Sequence, residues 1–158
     1  MGNIITLKYQ DRSSWNQALI SKGRDYLDRA AEGEALSVYH LEAAIAALHA
    51  SSPSFEETDW ISVYDLYKIL YSMRPSPVVA LNKAIASAYA VSHQSALDQL
   101  RLIKGLENHY LYHAALGEVL LALDKKNEAL QHFEKALQLT SAKSEQKLLK
   151  HKMESAEL

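Results

Sequence analysis

The sequence predicts an all-α fold of paired helices, on three observations. Five glycines and three prolines are scattered among abundant Ala and Leu, with few long runs of β-branched residues. Apolar residues recur at helical spacing in successive segments that stop at polar, Gly- or Pro-containing connections. The core positions of every second segment also repeat at a fixed interval: Val63, Ala96 and Ala129 stand 33 residues apart, as do Tyr67, Leu100 and Phe133, and Leu70, Ile103 and Ala136.

Length and charge limit what such a chain can be. At 158 residues it suits one domain that buries roughly 70% of its unfolded surface. The absence of cysteine excludes disulfides and thiolate metal sites, and makes a reducing cytoplasm the expected compartment. Seventeen basic and 19 acidic residues are mixed along the chain for a net charge of −2, so no broad footprint for nucleic acid or anionic membrane is visible. No apolar run approaches the roughly 20 residues that cross a bilayer. No cationic start followed by an apolar core marks a secretion signal.

Taken in order, residues 3–9, NIITLKY, read as an extended segment with nothing before it to pair with. Residues 1–10 are therefore expected to be a lead or linker from a missing upstream region, and 11–158 the helical domain. Residues 11–14 supply capping groups, and Trp15, Leu19, Ile20, Tyr26 and Leu27 open a helix reaching about residue 31 before Glu32-Gly33-Glu34 breaks it. Helices are then expected at about 36–50, 59–73, 77–91, 95–104, 108–123, 127–139 and 142–156, about eight in all. In the second of these eight, Ala43, Ala44, Ala46 and Ala47 lie beside Leu41, Ile45 and Leu48, so a neighbouring helix can approach closely. Residues 51–54, SSPS, stop it. Thr58 or Asp59 can cap the next, whose apolar stripe is Trp60, Val63, Tyr64, Tyr67 and Leu70. Pro75 and Pro77 end that one. The last helix is polar on most faces and reads as a cap.

A unit of about 34 residues made of two helices is the tetratricopeptide pattern, in which each unit leaves an apolar face that only its neighbour can bury. Residues 110–141, YLYHAALGEVLLALDKKNEALQHFEKALQLTS, match it best: Leu116-Gly117 resembles the small-residue contact of the first helix, and Ala129, Phe133 and Ala136 those of the second. Ala84 takes the small-residue place in the middle unit. The usual closing proline is Pro75 in the first unit and is replaced by Asn108 and Ser141 in the later two. The connection 51–58 is longer than a solenoid needs. It is either a contact-carrying insertion or a loop that packs across its own helix ends.

Four segments in order carry a more specific resemblance: DRSSWNQALI at 11–20, YHLEAAIAALHA at 39–50, TDW at 58–60 and PSPVVALNKAIA at 75–86. Together they resemble the C-terminal extension of a group of bacterial extracytoplasmic-function (ECF) RNA polymerase sigma factors that end in tetratricopeptide-like repeats. The resemblance implies a regulatory, protein-binding extension behind two DNA- and polymerase-binding sigma domains, with His49, Asp59 and Trp60 as motif residues. Those sigma domains are not in this sequence. No basic recognition helix and no basic-aromatic cluster for promoter melting is present, so direct contact with nucleic acid is not expected, and polymerase would be engaged only through the parent protein.

Candidate chemistry is sparse. His109 and His113 lie four apart on one helical face, but no third ligand stands at metal spacing in that helix, so capping or packing is the expected role and no metal is expected. A helix-end hydrogen bond accounts for His49. Glu56, Glu57 and Asp59 precede a helix and favour its positive end. No Gly-rich phosphate loop, GxSxG or HExxH occurs, so neither catalytic residues nor a cofactor are expected. Lys143, Lys147, Lys150 and Lys152, interleaved with acids, read as a solvated capping face.

The positive expectation is a concave groove lined by first helices: Val78, Leu81, Asn82, Ile85, Tyr89, Leu111, Ala114, Glu118 and Leu121. This lining is mostly apolar and suits an amphipathic helix or an apolar segment. Only Asn82 matches the clamp that grips acidic peptide C-termini. The expected function is a regulatory protein-interaction domain of an ECF sigma factor, its partner the sigma core or a separate regulator. Changing Leu81 or Leu121 to Glu should alter output without unfolding the domain. The alternatives are a free-standing repeat scaffold and a small-molecule sensor.

Overall fold

The computed structural model describes residues 37–157. The expected extended segment at 3–9, the helix at 15–31 and the motif at 11–20 lie outside the described residues. The described residues are all-α: α1 (Val38–Ser51), α2 (Trp60–Met73), α3 (Pro77–Ala90), α4 (His93–Leu102), α5 (Tyr110–Ala122), α6 (Lys126–Leu139) and α7 (Lys143–Glu157). The 33-residue interval governs the helix starts as well as the core. α2, α4 and α6 begin at Trp60, His93 and Lys126, and α3, α5 and α7 at Pro77, Tyr110 and Lys143. α1 stands outside that register because the connection to α2 is longer. The chain divides into two compact units, Met1–Ala86 and Ser87–Leu158, with the division falling within α3.

In the first unit α1 packs on α2. The Ser37 side chain caps α1 by accepting from the His40 N–H. Leu41, Ala43, Ala44, Ile45 and Ala47 are buried, and the small side chains let the neighbouring helix come close, as their spacing predicts. Asp59, not Thr58, caps α2: its carboxylate accepts from the Ser62 N–H at 3.1 Å and the Ser62 hydroxyl at 2.7 Å. Thr58 turns inward and is buried. The buried stripe of α2 is Trp60, Val63, Leu66, Tyr67 and Leu70. Leu66 takes the place expected for Tyr64, which stays half-buried with the Lys68 ammonium 4.9 Å from its ring centre. Burial pushes the Tyr67 phenol well above its ordinary range, with Glu42 adding to the shift. The Ser76 hydroxyl then accepts from the Val79 N–H at 3.1 Å, and Pro77 sets the first turn of α3 with no N–H to leave orphaned.

In the second unit α5 packs against α4 and α6, and α6 against α7. Ser92 caps α4, which starts at His93, two residues before the sequence expectation. Gly105 turns the α4–α5 connection with φ 93°, a backbone conformation that glycine adopts without strain. α5 and α6 come into close contact at one point: a Cβ placed on Gly117 would lie 2.6 Å from two carbons of the Phe133 ring. The small residue of the first helix and the aromatic of the second therefore form one interlocked pair. The α5–α6 turn closes with the Lys125 N–H on the Leu120 carbonyl, and places Asp124 at φ 61°.

Of the nine residues that set the 33-residue interval, Val63, Tyr67, Leu70, Ala96, Leu100, Ala129, Phe133 and Ala136 are buried. Ile103 is half-buried because α4 has already ended and it serves as the C-cap.

Candidate protein-interaction surface

Of the motif residues, His49 and Trp60 meet at one end of the α1–α2 pair, and Asp59, next to Trp60 in the chain, caps α2. The Trp60 ring sits edge-on to Phe55 at 5.0 Å and to His49 at 5.2 Å between centres. Its indole N–H donates to the Phe55 carbonyl at 3.2 Å. The Thr58 hydroxyl donates to the Ser54 carbonyl and its N–H to the Phe55 carbonyl, each at 3.2 Å. Of the two sequence alternatives, the connection thus follows the second and packs across its own helix ends. His49 is fully buried, with its ring against the Trp60 indole.

The groove residues separate by burial. On α3, Leu81, Asn82 and Ile85 are buried, while Val78 and Tyr89 are 39% and 40% exposed. Positions 78, 82, 85 and 89 share one helical face, so that face is closed in the middle and open at both ends. The Asn82 side-chain oxygen is buried without a hydrogen-bond partner. Leu81, only 1% exposed, is no place for a carboxylate. Leu81→Glu would disturb the fold before it tested any partner, contrary to the sequence expectation.

On α5, Ala114 is buried, and Leu111, Glu118 and Leu121 are half-buried. Part of that face is taken by α7. Glu118 pairs with Lys152, and Tyr110 with Glu145. Tyr110 and Glu118 lie about two turns apart on α5, as Glu145 and Lys152 do on α7, so the two helices run in the same direction. Burial, the Glu145 charge and the hydrogen bond to it push the Tyr110 phenol up to about 12. α7 buries Leu149 and Ala156 and leaves Lys143, Lys147 and Lys150 exposed.

Several exposed apolar side chains had no counterpart in the sequence reading. Ile61 and Ile69 lie on the outer face of α2, with Tyr71 and Met73 towards its end, and Leu102, at the end of α4, is 80% exposed. Their only sequence signal is being off the buried stripe, which is also true of every polar surface position.

The histidine pair expected within α5 divides instead. His109 caps the helix, its Nδ1 accepting from the Leu111 N–H at 3.2 Å. His113 faces His132 of α6, which the sequence reading did not single out, with their Nδ1 atoms 3.1 Å apart. No group of three or more His, Asp or Glu that could hold a metal ion occurs among the described residues.

The chain is 34% identical over 145 residues to an uncharacterized protein of Rhizobium meliloti (strain 1021). The match takes in 91% of this chain and 34% of that relative, so the chain spans about a third of the relative's length. No family model matches the chain. No solved structure matches it.

Proposed function

We propose that this chain is a tetratricopeptide-like, non-enzymatic protein-interaction domain that regulates an ECF-type sigma factor in the bacterial cytoplasm. The observation that carries the repeat reading is the common 33-residue interval of helix starts and buried core positions, together with the Gly117–Phe133 contact. The link to sigma factors is supported by the four ordered motifs, two of whose residues, Asp59 and Trp60, order the α1–α2 connection. A relative about three times as long fits a domain that works attached to others.

The partner is the sigma core, or a regulator that competes for it, held on apolar side chains of the first helices. Binding would shift transcription only by its differential affinity for the polymerase-competent and incompetent states. Val78 and Tyr89 are the positions to change, since they are the exposed apolar side chains of that α3 face. The experiment titrates this chain with the two-domain sigma core expected upstream in the parent polypeptide, expressed as a separate chain. Saturable binding that weakens at least tenfold in Val78→Glu/Tyr89→Ala is expected. Absence of binding at high micromolar concentration, with both pieces folded, overturns the reading.

A further inference from the structure

His113 and His132 are set edge to edge, and that geometry has chemical content. Their ring centres are 5.4 Å apart with planes inclined by 21°. This separation exceeds the 3.1 Å Nδ1–Nδ1 distance by about two ring radii, so both nitrogens lie on the line between the centres. Such a line holds an N–H and a lone pair pointed at each other. A tetrahedral metal would need the two lone pairs to converge at an angle instead. The far nitrogen of His113 assigns the proton: Nε2 lies 2.7 Å from the Glu107 carbonyl, which can only accept, so Nε2 carries hydrogen. In neutral His113 the Nδ1 is then bare and accepts from Nδ1–H of His132.

We propose that His113 and His132 form a one-proton clamp between α5 and α6, which takes up a first proton intact and opens on the second. The first proton adds to the free Nε2 of His132 and leaves the Nδ1–H···Nδ1 bond in place, now charge-assisted. The second must add to Nδ1 of His113, where it meets the N–H of His132. Two hydrogens then face each other across a distance that fits one, between two like charges, and the helices lose this tie. The charged groups bearing on the pair are Glu107 from the α4–α5 connection, Arg101 from α4 and Glu128 from α6. α7, which also packs on α6, supplies none of those. Arg101 and Glu128 face each other at 3.4 Å, both about half exposed, and act on His132 in opposite senses. Burial holds His132 below the ordinary histidine range. The folded chain therefore binds fewer protons than the unfolded one as pH falls through that range. Stability is full above the unfolded histidine pKa and declines below it.

The test is an NMR titration of the ring nitrogens in the whole chain from neutral to acid pH, with Tm followed in parallel. The two histidines should titrate as a coupled pair, the second proton at least tenfold weaker than the first. His132→Leu should remove the coupled step and flatten the fall of Tm on acidification. Two independent single-step titrations overturn the clamp, as does a His132→Leu chain whose Tm keeps the wild-type acid dependence. Should His132→Leu not fold, the wild-type titration decides by itself.

Discussion

Replacing Gly117 with Ala sets two general effects of opposite sign against each other. Gly117 is in the interior of α5, where Ala is preferred over Gly by about 0.8–1 kcal/mol. Propensity by itself therefore predicts a more stable protein. The structure predicts the reverse, because the new methyl would lie 2.6 Å from Cδ1 and Cε1 of Phe133 and 2.9 Å from its Cζ. Carbon atoms are comfortable at about 3.5–4 Å, so ring or helix must retreat by about 1 Å. Phe133 is fully buried, and interiors are packed too densely for a ring to move freely. Overpacking of this kind costs typically about 1–3 kcal/mol. With the propensity gain set against it, the net loss should be up to about 2 kcal/mol, which for a chain of this size lowers Tm by up to about 8 °C. Differential scanning calorimetry of wild type, Gly117→Ala, Phe133→Leu and the double variant completes the cycle. In the Phe133→Leu background Gly117→Ala should be neutral or stabilising, with a coupling of about 1–3 kcal/mol. A rise in Tm for the single Gly117→Ala change would refute the interlocked pair.

Two further outcomes follow from the second unit. Asp124 holds a left-handed backbone at the α5–α6 turn, so Asp124→Gly should raise Tm by a few degrees, for a gain of up to about 1 kcal/mol; an unchanged or lowered Tm in calorimetry contradicts that assignment. Lys152→Ala leaves the three-quarters-buried Glu118 without this cation, and should cost about 1 kcal/mol in urea unfolding, whereas Glu118→Gln/Lys152→Met should recover most of it. A Lys152→Ala chain as stable as wild type would show that α7 is not held through this pair.

Helix content and register follow from local information, since period, proline and capping residues act within a few positions of themselves. The 33-residue interval, the stops at 51–54 and 75–77, and the polar last helix were all legible before any contact was known. Contacts between helices were not. Leu66 and Tyr64 both sit close to the apolar face of α2, and the tertiary fold decides that Leu66 is the buried one. His113 has a histidine four residues away at the cap of its own helix, yet its partner lies 19 residues on, since the α5–α6 turn brings two faces together that share no local pattern. Glu118 and Lys152 meet for the same reason.

The candidate surface was the least legible part, because facing a groove and facing the core leave the same apolar signature along a helix. Leu81 and Val78 are one turn apart and alike in hydropathy. Only the neighbours supplied by the folded chain make the first a core residue and the second a position open to a partner. The sequence by itself determined that helices form, where they begin to within about two residues, and at what interval they repeat. Tertiary structure decided which apolar side chains remain exposed, which histidines meet and which charges pair, because these depend on residues far apart in the chain.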